Sequence, residues 1–371
     1  MRHVPRRSLA RPLSVLASVS ALVLFAAGQA PAAPPPAPGD APRASAPAGP
    51  AAPTARADAP IVRYVPVDTL IGYSLPFGEP WSPAGPWLAV RGRDGFCVYD
   101  LDQRGAEPRR ILDGATRFAW APAGPWLACW IERGESNGLV VAVDVESGEA
   151  DTLLAHAPAG WPIWSGDGAV HFVEQYAEGG LIRSSPPPSA WKATHPEARR
   201  SAAELVLVRT AGSLQTFMRF DPSSGSLIPL AALPQSPGAG PMYQSPLPDG
   251  RGFLMLVWGS DGCAHTHVVD VDGRSQVDFG PSCGEGGFSG TTVSSDVRYV
   301  IGNDEVGDGH VVFSQRLYLA DASGEWIAPI EGGPMGGGAK FSSRDLTIAF
   351  EALDEASEGV VHVGRLEIIA R

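Results

Sequence analysis

The sequence predicts an all-β fold, a six-bladed β-propeller of four-stranded antiparallel blades, on three observations. A strand–turn–strand motif recurs six times, an Asp…Gly hairpin signature follows five of the copies, and the repeat length is the roughly 40–50 residues of a propeller blade.

The motif is clearest at Trp81-Ser82-Pro83-Ala84-Gly85-Pro86-Trp87-Leu88-Ala89, which returns as Trp120-Ala121-Pro122-Ala123-Gly124-Pro125-Trp126-Leu127-Ala128. Further copies are Trp164-Ser165-Gly166-Asp167-Gly168, Pro248-Asp249-Gly250, Val293-Ser294-Ser295-Asp296-Val297 and Phe341-Ser342-Ser343-Arg344-Asp345, each running into an apolar strand. Pro, Asp and Gly sit where turn dihedrals require them. The fifth position of the turn falls at 85, 124, 168, 250, 297 and 345, spaced by 39, 44, 82, 47 and 48 residues.

The second signature is a β-run ending in Asp and a Gly-containing turn: Asp100 to Gly105, Asp144 to Gly148, Asp221 to Gly225, Asp270 to Gly273 and Asp321 to Gly324. The 82-residue interval contains only one of these, so it reads as a third blade with an insertion at about 177–203. The sixth unit runs out of chain after its third strand. Residues Val65 to Ile71, ahead of the first unit, are the segment that can supply its fourth, which would close the ring and remove exposed sheet edges.

The chain before the repeats has a different character. Residues 1–30 combine Arg2, Arg6, Arg7 and Arg11 with an apolar run from Val15 to Ala27 and small residues beyond it, the pattern of a secretory signal peptide. A retained anchor would need roughly 20 apolar residues, so no membrane span is expected after signal cleavage. Residues 31–60 hold ten prolines and twelve alanines and read as a disordered Pro/Ala-rich linker. The fold proper is therefore 61–371, periplasmic or secreted. Its formal charge is −12 with the signal and −16 once the four signal arginines are removed, which excludes nucleic acid as a natural partner.

The Trp-Ser-Pro-x-Gly-x-Trp-Leu-Ala pattern, repeated across about 61–371, resembles the repeats of the TolB-like, WD-like-repeat β-propeller proteins of bacterial envelopes. The resemblance covers the propeller alone, because the N-terminal α/β domain of TolB has no counterpart here. It implies a non-enzymatic scaffold, acting as a monomer, that binds a protein partner in the cell envelope.

In such a blade the loops between second and third strands open on one face, and that face is acidic. The binding candidates on it are Asp94, Glu132, Glu135, Asp261, Asp304, Glu305, Asp308, Asp354 and Glu355, with Trp191 in the insertion; a merely solvated acidic rim is the alternative. The insertion, with Arg183, Lys192, Arg199 and Arg200, reads as either a lid or a disordered loop.

Cys263 and Cys283 are equidistant from Gly273, so a hairpin there sets them opposite each other, within disulfide reach in an oxidising compartment. A zinc site with His265 and His267 is the competing reading. It is hampered by the roughly 13 Å of strand between Cys263 and His267. Cys97 and Cys129, in strands of neighbouring blades, read as buried free thiols.

No nucleophile elbow, phosphate loop or His-Glu-x-x-His is present, and no cofactor is expected. Asn303, Asp304 and Asp308 on a Gly-rich loop are weak calcium candidates. The function class set against the scaffold is a metal-dependent or carbohydrate-active propeller enzyme with its site in the central channel.

Overall fold

The computed structural model describes residues 59–76, 78–133, 138–157, 160–164, 168–174, 182–185, 206–211, 214–221, 226–229, 241–248, 251–259, 261, 263–270, 274–282, 287–307, 312–333, 335–352 and 359–370. The expected signal peptide and most of the expected linker and insertion lie outside them. Every described element is a β-strand, and no described helix is long and apolar enough to cross a membrane.

β1 (Ile61–Ile71) precedes the repeats. β2 (Trp87–Gly92), β3 (Gly95–Asp100) and β4 (Arg109–Asp113) form the first sheet, extended beyond β2 by bridges at Ser74↔Arg91 and Trp81↔Leu88. β5 (Ala115–Trp120), β6 (Trp126–Glu132), β7 (Gly138–Asp144) and β8 (Ala150–Ala157) form the second. β9 (Gly160–Trp164), β10 (Val170–Glu174) and β11 (Ile182–Ser185) make one three-stranded sheet, and β12 (Val206–Ala211), β13 (Leu214–Asp221) and β14 (Ser226–Pro229) another. β15 (Pro241–Pro246), β16 (Gly252–Trp258), β17 (Ala264–Asp270) and β18 (Ser275–Pro281) follow. β19 (Ser289–Val293) to β22 (Ile327–Glu331), with β20 (Tyr299–Gly307) and β21 (Val312–Asp321) between them, form a further antiparallel set. The last comprises β23 (Gly336–Phe341), β24 (Thr347–Ala352) and β25 (Val360–Ile369).

The described strands thus fall into seven antiparallel sets, where six turn copies predict six. The difference lies in the interval expected to be one blade with an insertion. Residues 182–185, inside the expected insertion, pair with β10, and β12–β14 pair only with one another. No copy of the turn motif stands between Trp164 and Pro248, so a count by that motif finds one unit. Halved, the 82-residue interval matches the spacing of its neighbours.

Second and third strands lie between neighbouring sheets and are buried on both faces. β6 and β7 are accordingly near-continuous apolar runs, whereas the fourth strands β4 and β8 are largely exposed. Two of the Asp…Gly signatures, Asp144 to Gly148 and Asp321 to Gly324, are turns of one construction. In the second sheet Asp144 Oδ1 accepts from the N–H groups of Glu146 (2.8 Å) and Ser147 (3.0 Å). Gly148 then adopts a left-handed φ of 78° and donates to the Asp144 carbonyl.

The tryptophan that opens the motif joins one sheet to the sheet before it. The Trp120 indole N–H donates to the Pro80 carbonyl at 2.8 Å, and Trp164 donates to Ala119 at 2.9 Å. Trp81 donates to Lys340 at 3.0 Å, binding the first sheet to the last. In each case the acceptor immediately precedes the motif's opening position in the neighbouring copy.

β1 is the fourth strand of the last set. It pairs antiparallel with β25 over ten positions, from Ile61↔Ile369 to Ile71↔Val360, and touches β22 in parallel at Val62↔Ile330. A bulge between Pro66 and Asp68 inverts its faces. Val62 and Tyr64 pack with Ile301, Leu319, Phe341 and Phe350, while Leu70 packs on the opposite side with Trp81, Leu88 and Tyr99. Gly364 leaves the space that the Tyr64 ring fills, since a Cβ there would lie 2.0 Å from it. Beyond the bulge Asp68 accepts from Tyr99 Oη (2.7 Å) and from the N–H groups of Gly105 (2.9 Å) and Thr69 (2.8 Å). Burial opposes ionisation of Asp68, but these donors outweigh it and hold its pKa below the ordinary carboxylate value.

Leu70→Ala should lower unfolding stability by about 2–4 kcal/mol, and Trp120→Phe by about 1–3 kcal/mol, both read as denaturant midpoints at unchanged m. Deletion of residues 61–71 should abolish the cooperative transition; a deletion that still melts in one sharp step would refute the closing role of β1. A depressed folded-state pKa means that Asp68 contributes stability above its unfolded pKa and loses it as pH falls through the folded value. Asp68→Asn should therefore be less stable at pH 7 and show a shallower acid-side decline in thermal midpoint.

Candidate functional site

Hairpins between second and third strands project from the same end of their sheets. Asp94 in the β2–β3 turn, Glu132 at the end of β6 and Asp261 between β16 and β17 are all exposed there. Asp304 is different. β20 and β21 extend through the expected loop, and the Asp304 carboxylate is buried within their ladder. It accepts from the Arg316 N–H (2.8 Å) and Tyr318 Oη (3.1 Å). Asn303 and Asp304 are adjacent in a strand and so point to opposite faces, which prevents them from chelating one calcium ion. Glu305 also lies in β20. Glu135, Trp191, Asp308, Asp354 and Glu355 are outside the described residues.

Among the described residues, strands β16 to β18 bring His265, His267, Asp261 and Asp278 together. His265 Nε2 lies 3.0 Å from Asp261 Oδ2, and His265 Nδ1 lies 3.4 Å from Asp278 Oδ1. His267, two residues along β17, lies directly across from Asp278, and its Nδ1 is 3.1 Å from Ser275 Oγ. The two imidazoles stack with centroids 6.1 Å apart. Burial disfavours protonation of His265, yet Asp261 and Asp278 overcome it and raise its pKa, whereas burial lowers that of His267. His265 bonding lowers the Asp261 pKa. Asp278 was not singled out in the sequence. Its approach depends on a β18 irregularity opposite His265 and His267, where Gly280 takes a φ of 84°.

The same irregularities restore the cysteine register. The turn end of the hairpin pairs Val269 with Ser275, but two register shifts bring Pro281 opposite His265. The Ser282 N–H then donates to the Ala264 carbonyl at 2.7 Å. Cys283 itself lies outside the described residues, while Cys97 and Cys129 are free and buried.

First strands of the later sheets carry a separate polar group. Lys340 on β23 is 8% exposed, and its Nζ lies 3.5 Å from Glu79 Oε1 and 3.0 Å from the Thr291 carbonyl. Ser245 Oγ on β15 donates to the same Glu79 oxygen at 2.8 Å. Burial pushes the Lys340 pKa down, against the pull of Glu79. Among the described residues the one group of three metal-capable side chains is His265, His267 and Asp278, on third and fourth strands rather than first strands.

No protein-family model matches the chain, and no curated protein does. Among solved structures, one from a study of two prolyl endopeptidases aligns with TM-score 0.55 and 14% identity, over 80% of this chain and 47% of that one. The chain thus spans about half the length of that structure. TolB from Acinetobacter baumannii aligns at 15% identity over 72% of this chain and 65% of its own, with TM-score 0.40. The β-propeller domain of the Trilobed protease from Pyrococcus furiosus aligns at 16% over 81% and 86%, also at 0.40. At these identities the likeness concerns fold alone, that of a β-propeller.

The Lys340–Glu79 pair should respond asymmetrically. Glu79→Leu removes the countercharge of a buried ammonium and should cost about 3 kcal/mol, the low end for breaking a buried pair, because Glu79 is itself part exposed. Lys340→Met removes the desolvated charge and leaves Glu79 with Ser245, so its cost should be under about 1 kcal/mol. Chemical denaturation of the two variants measures the contrast.

Proposed function

We propose that the protein is an exported, non-enzymatic β-propeller that serves as a protein-binding scaffold in the cell envelope. The observation that supports this reading best is the placing of exposed Asp94, Glu132 and Asp261 at the second-to-third-strand end of three different sheets. Acidic loops on a rigid frame are a common setting for recognition, and a basic face on the partner would complement them. The Lys340–Glu79–Ser245 group on the first strands favours the scaffold over a channel enzyme, since its charges are spent on one another.

Several finer features belong to the same reading. Residues 1–30 act as a cleaved signal and 31–60 as a tether, and the mature chain works as a monomer in the periplasm or outside the cell. The ring has seven blades, one per strand set. Cys263 and Cys283 form a disulfide, favoured by the register of Ala264 and Ser282 and by an oxidising compartment.

Immobilised mature protein should capture a discrete partner from envelope extract, with capture weakening as salt rises. The double variant Asp94→Lys with Glu132→Lys should reduce that capture at least tenfold while melting normally. Capture indifferent to both salt and charge reversal would sink the acidic-face reading. Separately, Cys283→Ser should lower stability by about 3 kcal/mol, and alkylation without reductant should label two thiols of the unfolded wild type rather than four.

A further inference from the structure

We propose that His265, His267 and Asp278 form a binding site for a divalent transition-metal ion of the zinc class, with Asp261 as its outer-sphere carboxylate. One ligand atom from each of the three lies within 4.8 Å of the others. A tetrahedral ion with bonds of about 2.0–2.1 Å brings ligand atoms to roughly 3.4 Å. His265 Nδ1 and Asp278 Oδ1 already stand 3.4 Å apart, so the site forms by a small closure of His267 toward that pair.

The hydrogen bonds outside the cluster assign the ligand atoms. With an ion bound, Asp261 Oδ2, 3.0 Å from His265 Nε2, would accept that ring's proton, and Nδ1, 3.4 Å from Asp278 Oδ1, would be the ligand atom. This is the carboxylate–imidazole–metal relay that fixes tautomer and ring orientation. On His267, Ser275 Oγ takes Nδ1 at 3.1 Å, so Nε2 is the ligand atom. Asp278 is held in turn by the Gly280 N–H, which donates to Oδ1 at 2.8 Å.

Two glycines make the arrangement possible. Gly280, at φ 84°, forms part of the irregularity that brings Asp278 across from His267 two residues after Pro281 meets His265. At Gly259 a Cβ would lie 2.6 Å from Asp261 Oδ1 and 2.9 Å from His265 Nε2, so a side chain there would press on the Asp261–His265 contact. Two imidazoles and one carboxylate suit a borderline ion better than calcium or magnesium, which prefer all-oxygen shells. Three protein ligands leave a fourth position open to water or to a side chain from another molecule.

The full chain, stripped with chelator and titrated with zinc chloride by calorimetry, should bind one ion. His267→Ala and Asp278→Asn should each abolish that binding, and Asp261→Asn should weaken it about tenfold. His156→Ala, on exposed β8, should leave it unchanged. Asp278→Asn is isosteric and keeps the bond from Gly280, so it remains informative if His267→Ala folds poorly; metal-free melting of each variant checks this. With cobalt in place of zinc, visible d–d bands should appear without a near-ultraviolet thiolate band. Absence of zinc uptake, uptake that survives Asp278→Asn, or a thiolate band would each overturn the proposal.

Discussion

The pairing of β1 with β25 is the constraint on which the rest of the propeller depends. A run of antiparallel sheets joined only in sequence has two loose ends, and its terminal sheet would offer an unpaired edge. Here the first strand of the fold completes the last sheet, so neither end of the repeat is free. One bulge lets eleven residues do two jobs. Val62 and Tyr64 fill the core shared with β20 and β21, and after Pro66 the chain changes face so that Leu70 fills the core shared with the first sheet. Proline suits this place because a bulge already gives up a ladder hydrogen bond.

Closure at the edges is matched by a second connection between first strands. The motif tryptophan packs in the seam between sheets and aims its indole N–H at a carbonyl of the preceding sheet. A large apolar ring with one donor fits that seam well, since burial and polar satisfaction come from the same residue. Where the motif carries Phe341 or Val293 in this position, no such donor exists. The neighbouring link there is Thr291, whose hydroxyl donates to the Ala339 carbonyl. The sequence repeat is therefore a repeat of inter-sheet bonds as much as of turns.

That explains which parts were legible. Turn residues and Asp…Gly signatures encode local geometry, so they are readable one copy at a time, and the missing fourth strand follows from counting strands. A hairpin symmetric about Gly273 anticipates the pairing of Pro281 with His265, although the chain reaches it through two irregularities rather than a straight ladder. The interval from 168 to 250 reads as one unit because strand pairing there runs without the motif that marks the other units. Asp304 was read as a loop acid because Gly302, Gly307 and Gly309 suggest a loop, whereas Tyr318 and the Arg316 N–H satisfy its carboxylate inside an extended ladder. Asp278 was invisible for a related reason. Alternation along an ideal strand does not reveal which residue a bulge will turn toward its neighbours.

The distribution of polar groups also bears on where chemistry can occur in this molecule. A catalytic centre needs groups held apart from their natural partners, so that a substrate supplies the missing interaction. Lys340 fails that condition, for it meets Glu79 and the Thr291 carbonyl, and Glu79 takes the Ser245 hydroxyl as well. Its burial among complementary atoms specifies how the first strands of three sheets fit together. The imidazoles at the β17–β18 edge are arranged in the opposite sense. His265 has one nitrogen beside Asp261 and the other beside Asp278, His267 Nδ1 meets Ser275 Oγ, and the cluster is only partly buried. The buried polar group thus joins first strands, while the ionisable side chains at the β17–β18 edge stand partly open to solvent.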